Sequence, residues 1–297
     1  MPTALGFTTL SAQLRRTSWR QLALYAFLTL FALVLVRLML PAEMRPGLRK
    51  LDLVLPLLLL AAKDLAHLPD ALRRLRAASG WPGRIAALLP PELVGMFRLD
   101  RLMWLGFMQW MLRRPAPACQ PDGIALTYLQ RGAYGTAIGM AMVALFLELP
   151  IDFLLINLWI DDPQMRRLIH LAGGIGVLYS FAWVLGDRWH VGAGSHVLAD
   201  GTLHLRVGVR TQGCIPLWAI ERCDAINEEP ERWRRRHGIH QCDTLLVTPF
   251  DKPNCVLVLK PDADVTLLHW QVQRQAPRYV LMYLDRPQLL ASQVGAT

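Results

Sequence analysis

Two carboxylates one helical turn apart inside an apolar run are the first residues able to do chemistry. Glu148 and Asp152 stand in "ALFLELPIDFLLINLW", residues 144–159, with Pro150 between them. At positions i and i+4 they share one face of a helix. A carboxylate in hydrocarbon takes up a proton, finds a partner or lines a water-filled cavity. His170 and Tyr179, in the next apolar run, are partners within reach across an antiparallel hairpin, and Gly173, Gly174 and Gly176 would let the two backbones close in. Three readings follow: a proton or cation path using Glu148, Asp152 and His170, a polar clamp between helices, or a helix whose residues beyond Pro150 lie at the interface. One acid pair on a single helix makes a thin pathway, which weights the structural readings. Pro150 deprives the Phe146 carbonyl of its usual donor, so a kink is expected there.

A second group lies in "PERWRRRHGIHQC", residues 230–242, where Arg232, Arg234, Arg235 and Arg236 flank Trp233. On a domain tethered to a bilayer, such a loop would grip anionic headgroups or an acidic partner, each basic residue adding about 1 kcal/mol near the surface. Glu228, Glu229 and Glu231 offer the competing description of a balanced, solvated loop. His237, His240 and Cys242 have ligand chemistry, with Cys214, Cys223 or Cys255 as a fourth donor. Closed zinc sites pair their ligands more tightly, so no metal and no cofactor are expected. The five cysteines are odd in number and contain no CxxC, which suits a reducing compartment. The chain has no GxSxG, HExxH, Walker loop or GxGxxG. No catalytic residue is assigned, and "GAGSH", residues 192–196, reads as a flexible link.

The elements that must hold these residues begin with composition. The 297 residues are 53% hydrophobic, with a mean hydropathy of +0.28, which suits a membrane part joined to a soluble part. Residues 1–186 hold 19 Lys and Arg against 11 Asp and Glu, whereas residues 187–297 hold 13 against 12. Excess charge beside apolar runs is topogenic and lipid-facing, so no nucleic acid is expected as a partner. Residues 21–40 read as an uncleaved signal-anchor span, and 51–68 as a short second span. In "FRLDRLMWLGFMQWMLRR", Trp104, Phe107 and Trp110 recur every three residues. An amphipathic helix lying in the headgroup region fits, as does a helix packed on the other spans. Runs from 132 to 160 and 168 to 186, separated by "DDPQMRR", form a helical hairpin. The ten Lys and Arg of residues 63–131 place both hairpin ends in the cytoplasm.

From Trp189 the texture changes to short runs such as "TLHLRVGV", "CIPLWAI", "DTLLVTP", "NCVLVLK", "DVTLLHW" and "RYVLMYL", which indicate an antiparallel sandwich or barrel. "VLADGTLHLRVGVRTQGCIPLWAIERCDAI", residues 197–226, resembles the first half of a bacterial pleckstrin-homology-like domain, and "DTLLVTPFDKPNCVLVLK" with "VLMYLDRPQLLASQV" resembles its second half. The junction "YSFAWVLGDRWHV" is similar to that of uncharacterised bacterial integral-membrane proteins carrying such a domain. The resemblance implies a seven-stranded barrel with a closing C-terminal helix, used for binding and assembly; "INEEPERWRRRHGIHQC" is an insertion outside its pattern.

The expected fold is therefore a membrane α-helical region of four helices, or three, joined to an all-β pleckstrin-homology-like barrel with a short closing helix. Residues 1–68 would be N-terminal membrane helices, 69–131 a basic cytoplasmic segment with an interfacial helix, 132–188 a transmembrane hairpin and 189–297 a cytoplasmic β domain. The expected function is that of a non-enzymatic scaffold in a bacterial inner membrane, with both termini cytoplasmic, contacting membrane lipids, a protein partner or a second copy. The rival is a small transporter or channel component built on Glu148 and Asp152.

Overall fold

The structure is a computed structural model that describes residues 19–39, 54–55, 58, 68, 71–77, 79–117, 121–248 and 250–294. The expected second span at 51–68, the basic residues Arg15, Arg16 and Lys63, and Cys119 all lie outside the described residues, apart from isolated positions of that span. The chain divides into two units, Met1–Val94 and Gly95–Thr297. In the first, α1 runs over Trp19–Met39 and α2 over Gly80–Leu88. The charge-free centre of α1 leaves Phe27 and Phe31 exposed, with their rings stacked 6.4 Å apart.

The second unit takes up most of α3, Pro91–Met111, and then a short strand, β1, Ile124–Thr127. Helices α4, Tyr134–Trp159, and α5, Pro163–Val191, form the expected hairpin. Both are long and apolar enough to cross a membrane. Their 26 and 29 residues amount to about 39 and 43 Å at 1.5 Å per residue, against about 30 Å of hydrocarbon. The turn between them is set locally: Asp162 caps α5 by accepting from the Gln164 N–H at 3.0 Å, and Pro163 occupies its first turn.

Among the described residues nine further strands follow: β2 Ser195–Ala199, β3 Thr202–Val207, β4 Thr211–Pro216, β5 Ile220–Ala225, β6 Thr244–Leu246, β7 Cys255–Leu259, β8 Thr266–His269, β9 Val272–Gln275 and β10 Tyr279–Met282. They do not close into the expected barrel. One open sheet has the order β1-β2-β3-β4-β8-β9, the other β5-β7-β10-β6. The reason lies at Pro216: after it a single turn of 3-10 helix, Leu217–Ala219, carries the chain from one sheet to the other, so β4 and β5 are consecutive without pairing. Alternation along β3 sends Leu203, Leu205 and Val207 inward to meet Leu257, Leu259, Val280 and Met282 from the facing sheet. Helix α7, Pro287–Val294, adds Leu290 to this core.

Strand β1 precedes the hairpin and β2 follows it, yet the two pair antiparallel, Leu126 opposite His196 and Thr127 opposite Ser195. The hairpin is thus inserted between two neighbouring strands of the β domain. "GAGSH" is no flexible link: Ser195 and His196 sit in β2, whose five residues are all buried.

Candidate functional site

The hairpin places Asp152 and His170 together and Glu148 apart from them. Asp152, Pro150, Phe153, His170, Gly173 and Gly174 line a groove of about 740 Å³ between α4 and α5, and Glu148 is exposed outside it. The Phe153 ring stacks on His170 with centroids 5.0 Å apart, and His170 Nε2 is buried with no hydrogen-bond partner among the described residues. Pro150 lies inside a continuous α4, so the helix absorbs the lost hydrogen bond without ending. The expected glycine approach is absent: a Cβ on Gly173, Gly174 or Gly176 would meet nothing within 4 Å. The close approach of helices occurs elsewhere. A Cβ on Gly106 would stand 2.7 Å from the His190 ring, and one on Gly186 would collide with the Met103 carbonyl, so α3 and α5 pack through these two glycines. Trp104 reaches α5 beside that contact, its ring 6.0 Å from Tyr179, while Phe107 meets Trp104 and Trp110 on its own helix and Trp110 is left 45% exposed.

Where the hairpin joins the β domain, a buried polar cluster locks the two. Tyr134, at the start of α4, donates its hydroxyl to Asp187 Oδ2 at 2.8 Å, and Arg210, in the β3–β4 turn, donates to the same oxygen at 2.7 Å. Asp187 is 5% exposed, so a charge is held out of water by one cation and one phenol. Phe250 covers the cluster, its ring 6.0 Å from Tyr134 and 5.4 Å from the Arg210 guanidinium. Beside it, Asp251 accepts from the Ala133 N–H, and Asp285 accepts from the Gln130 and Arg131 N–H groups at 3.0 and 2.8 Å. Burial, with the Asp285 charge adding to it, holds the Asp251 carboxyl above the usual carboxylate range. These carboxylates satisfy the backbone that leads from β1 into α4, where ladder hydrogen bonds end. His196, wholly inside the domain, is pushed down to about 4 by burial and accepts the Arg206 N–H on Nδ1 at 3.0 Å.

The arginine segment is ordered as a helix, α6, Pro230–His237, rather than a loop. Trp233, expected among its contact residues, is turned inward: it is 8% exposed, packed with Ile226, Val256, Val258 and Leu281, and edge-on to Tyr279 at 5.6 Å. Its apolar ring is the only strong anchor on a helix otherwise made of charge and proline. Arg236 pairs with Glu228 at 3.0 Å and Arg235 approaches Glu231 at 3.9 Å, while Arg232 projects to solvent. His237 Nδ1 donates to the Trp233 carbonyl at 2.9 Å, and among the described residues no three His, Cys, Asp or Glu converge as a metal site.

Sequence reasoning missed Tyr134, Asp187 and Arg210. An acid directly after an apolar run, "VLGDRW", was the available sign for Asp187; Arg210 in a sheet turn offered none. Comparison with known proteins finds no family model, no curated protein and no solved structure that matches this chain.

Proposed function

We propose that this protein is a membrane-anchored, non-enzymatic scaffold whose β domain presents α6 to an acidic protein partner. The observation that carries the reading is the insertion of the hairpin between β1 and β2, locked by Tyr134, Asp187 and Arg210. An anchor embedded in the sheet holds the domain at a fixed place and orientation on the membrane, which a flexible tether would not do. The basic excess before residue 132 favours a bacterial inner membrane with the β domain and both termini on the cytoplasmic side, which requires α1 to be followed by a second span before residue 132, the short one expected at 51–68. The kinship with bacterial pleckstrin-homology-like membrane proteins belongs to the same proposal; two packed sheets with a C-terminal helix support it.

A buried Trp233 leaves α6 without an aromatic residue to enter a headgroup layer, so Arg232, Arg234, Arg235 and Arg236 suit a polar, acidic protein surface. The test is purification of the full chain from native membranes beside a variant with all four arginines changed to Ser. A specific companion that is lost from the variant, and lost from the wild type in high salt, is the expected result. An unchanged set of companions would sink this use of α6.

The groove favours one second reading, a small transporter or channel component in which Asp152 and His170 pass a proton or cation, with Glu148 outside the groove. It predicts that Asp152→Asn abolishes a proton-dependent flux into vesicles while the protein stays folded. A variant that loses only thermal stability assigns Asp152 a structural part.

A further inference from the structure

We propose that the outward face of α3 is a contact surface for anionic phospholipid headgroups, which it meets where α5 leaves the bilayer. This rests on the reading that α4 and α5 cross a membrane. The inward face of α3 fixes its place: Leu99 and Met103 are 1% and 0% exposed, Gly106 abuts His190, and His190 Nε2 donates to the Leu102 carbonyl at 2.7 Å. At its start, Gly95 lies against the Trp270 carbonyl at the β8–β9 turn, and beyond its end the Trp189 indole N–H donates to the Arg114 carbonyl at 3.1 Å. Asp100 to Arg114 therefore run beside Tyr179 to Trp189 of α5. A span of about 20 residues counted from Pro163 reaches hydrocarbon's edge near Trp183, so α3 lies at headgroup depth.

With the inward face fixed, a period of 3.6 turns Phe97, Arg101, Leu105, Met108 and Leu112 to the opposite side. The four apolar members are 60%, 45%, 47% and 64% exposed. Beside this ridge the arginines Arg98, Arg101, Arg113 and Arg114 are all exposed. From Gly95 to Arg114 the chain holds one acid, Asp100, which is half-buried and engaged by α5. It accepts from the Tyr179 hydroxyl and, at 3.0 Å, from the Trp183 indole N–H. What remains outward is an apolar ridge bordered by guanidinium groups that no acid among the described residues pairs. That pattern suits the boundary between acyl chains and phosphates, where the ridge enters and the arginines reach the anions. On α5, Leu178, next to the Tyr179 that meets Asp100, is 69% exposed as well, so both helices present apolar surface at this contact, which favours the leaflet over a protein occupant. The set differs from Trp104, whose ring meets Tyr179 of α5, and from Phe107, half-buried between Trp104 and Trp110.

The test places a benzophenone amino acid at Met108, or at Leu171 in mid-α5, in the full chain reconstituted into vesicles of equal phosphatidylcholine and phosphatidylglycerol. After irradiation, adducts are identified by mass. Lipid adducts at both positions are expected, with phosphatidylglycerol favoured about twofold or more at Met108 and unbiased at Leu171. Changing Arg98, Arg101, Arg113 and Arg114 to Gln should remove that bias while lipid adducts persist. Protein-only adducts at Met108 with lipid adducts at Leu171 would overturn the α3 contact and leave the spanning reading standing. Unbiased adducts at Met108 would remove its anionic preference. Lipid adducts absent from Leu171 would overturn the spanning reading and the contact together.

Discussion

Asp187 is the residue on which the hairpin and the β domain depend most directly. Its carboxylate is buried and shared by Tyr134 and Arg210, so removing it strands a guanidinium inside the protein. Asp187→Ala should cost about 3–5 kcal/mol, read as a lowered unfolding midpoint of the full chain in detergent. The double change Asp187→Leu with Arg210→Met should recover most of that loss, since no charge is then left unpaired. A double variant as unstable as the single would show that the pair does more than neutralise itself. Histidines set the pH response. His196 and His269 are both pushed down to about 4, chiefly by burial, whereas an unfolded chain protonates them near 6.5. Below that value the unfolded state binds protons that the folded state refuses, so stability is full above about pH 6.5 and falls toward pH 4. By pH 5 the loss is about 2 kcal/mol for each histidine, measurable by chemical denaturation at pH 7 and pH 5. A flat profile would contradict the buried neutral state of these rings.

Helices in this protein are joined by contacts other than those their glycines advertise. "LAGGIGVLYS" looked like the packing face of α5, yet Gly173, Gly174 and Gly176 face open space. The contact that matters uses Gly106 and Gly186, two glycines far apart in sequence and each unremarkable in its own helix. Gly186→Ala should therefore push α3 away from α5 and destabilise the protein by about 1–3 kcal/mol. Gly176→Ala, by contrast, should leave the melting temperature nearly unchanged. Equal effects of the two substitutions would mean that the α3–α5 contact is looser than described. Of the strands, β3 was legible by its alternation, and β7, β8 and β10 by short apolar runs between turn residues. β1, β5 and β9 were not: β1 and β9 have only four residues, β5 and β9 are largely polar, and each is a strand only because a neighbour supplies its hydrogen bonds.

The second unit is a β domain with an apolar helical hairpin set into it, and this order has a consequence for dissection. A chain cut to begin at Trp189 lacks β1, which exposes the edge of β2 and opens the core where Leu126 and Tyr128 sit at 2% exposure. Such a fragment should aggregate. A chain of residues 121–129 and 193–297, with Leu129 joined to Ala193 through a short turn, should instead yield a soluble domain, since the Tyr128 N–H already meets the Gly194 carbonyl at 2.9 Å. The excised form should be less stable than the full chain, as Tyr134 and Val191 leave the core. Gel filtration and circular dichroism of the two fragments decide the matter, and a well-folded monomer from the fragment beginning at Trp189 would count against β1 as part of the domain.

Local properties of the chain were enough for the two long apolar helices, the turn between them, the basic flank and most of the strands. Length, periodicity and capping act over a few residues, and physics at that range leaves its mark directly in the order of residue types. What the residues could not reveal is which strangers in sequence become neighbours. The pairing of β1 with β2 across the hairpin, the choice of two open sheets over a barrel, the inward turn of Trp233, the separation of Glu148 from Asp152 and the junction of Tyr134, Asp187 and Arg210 all arise from long-range packing. In each case the decisive energy is the burial of one surface against another, and no window of sequence contains both surfaces.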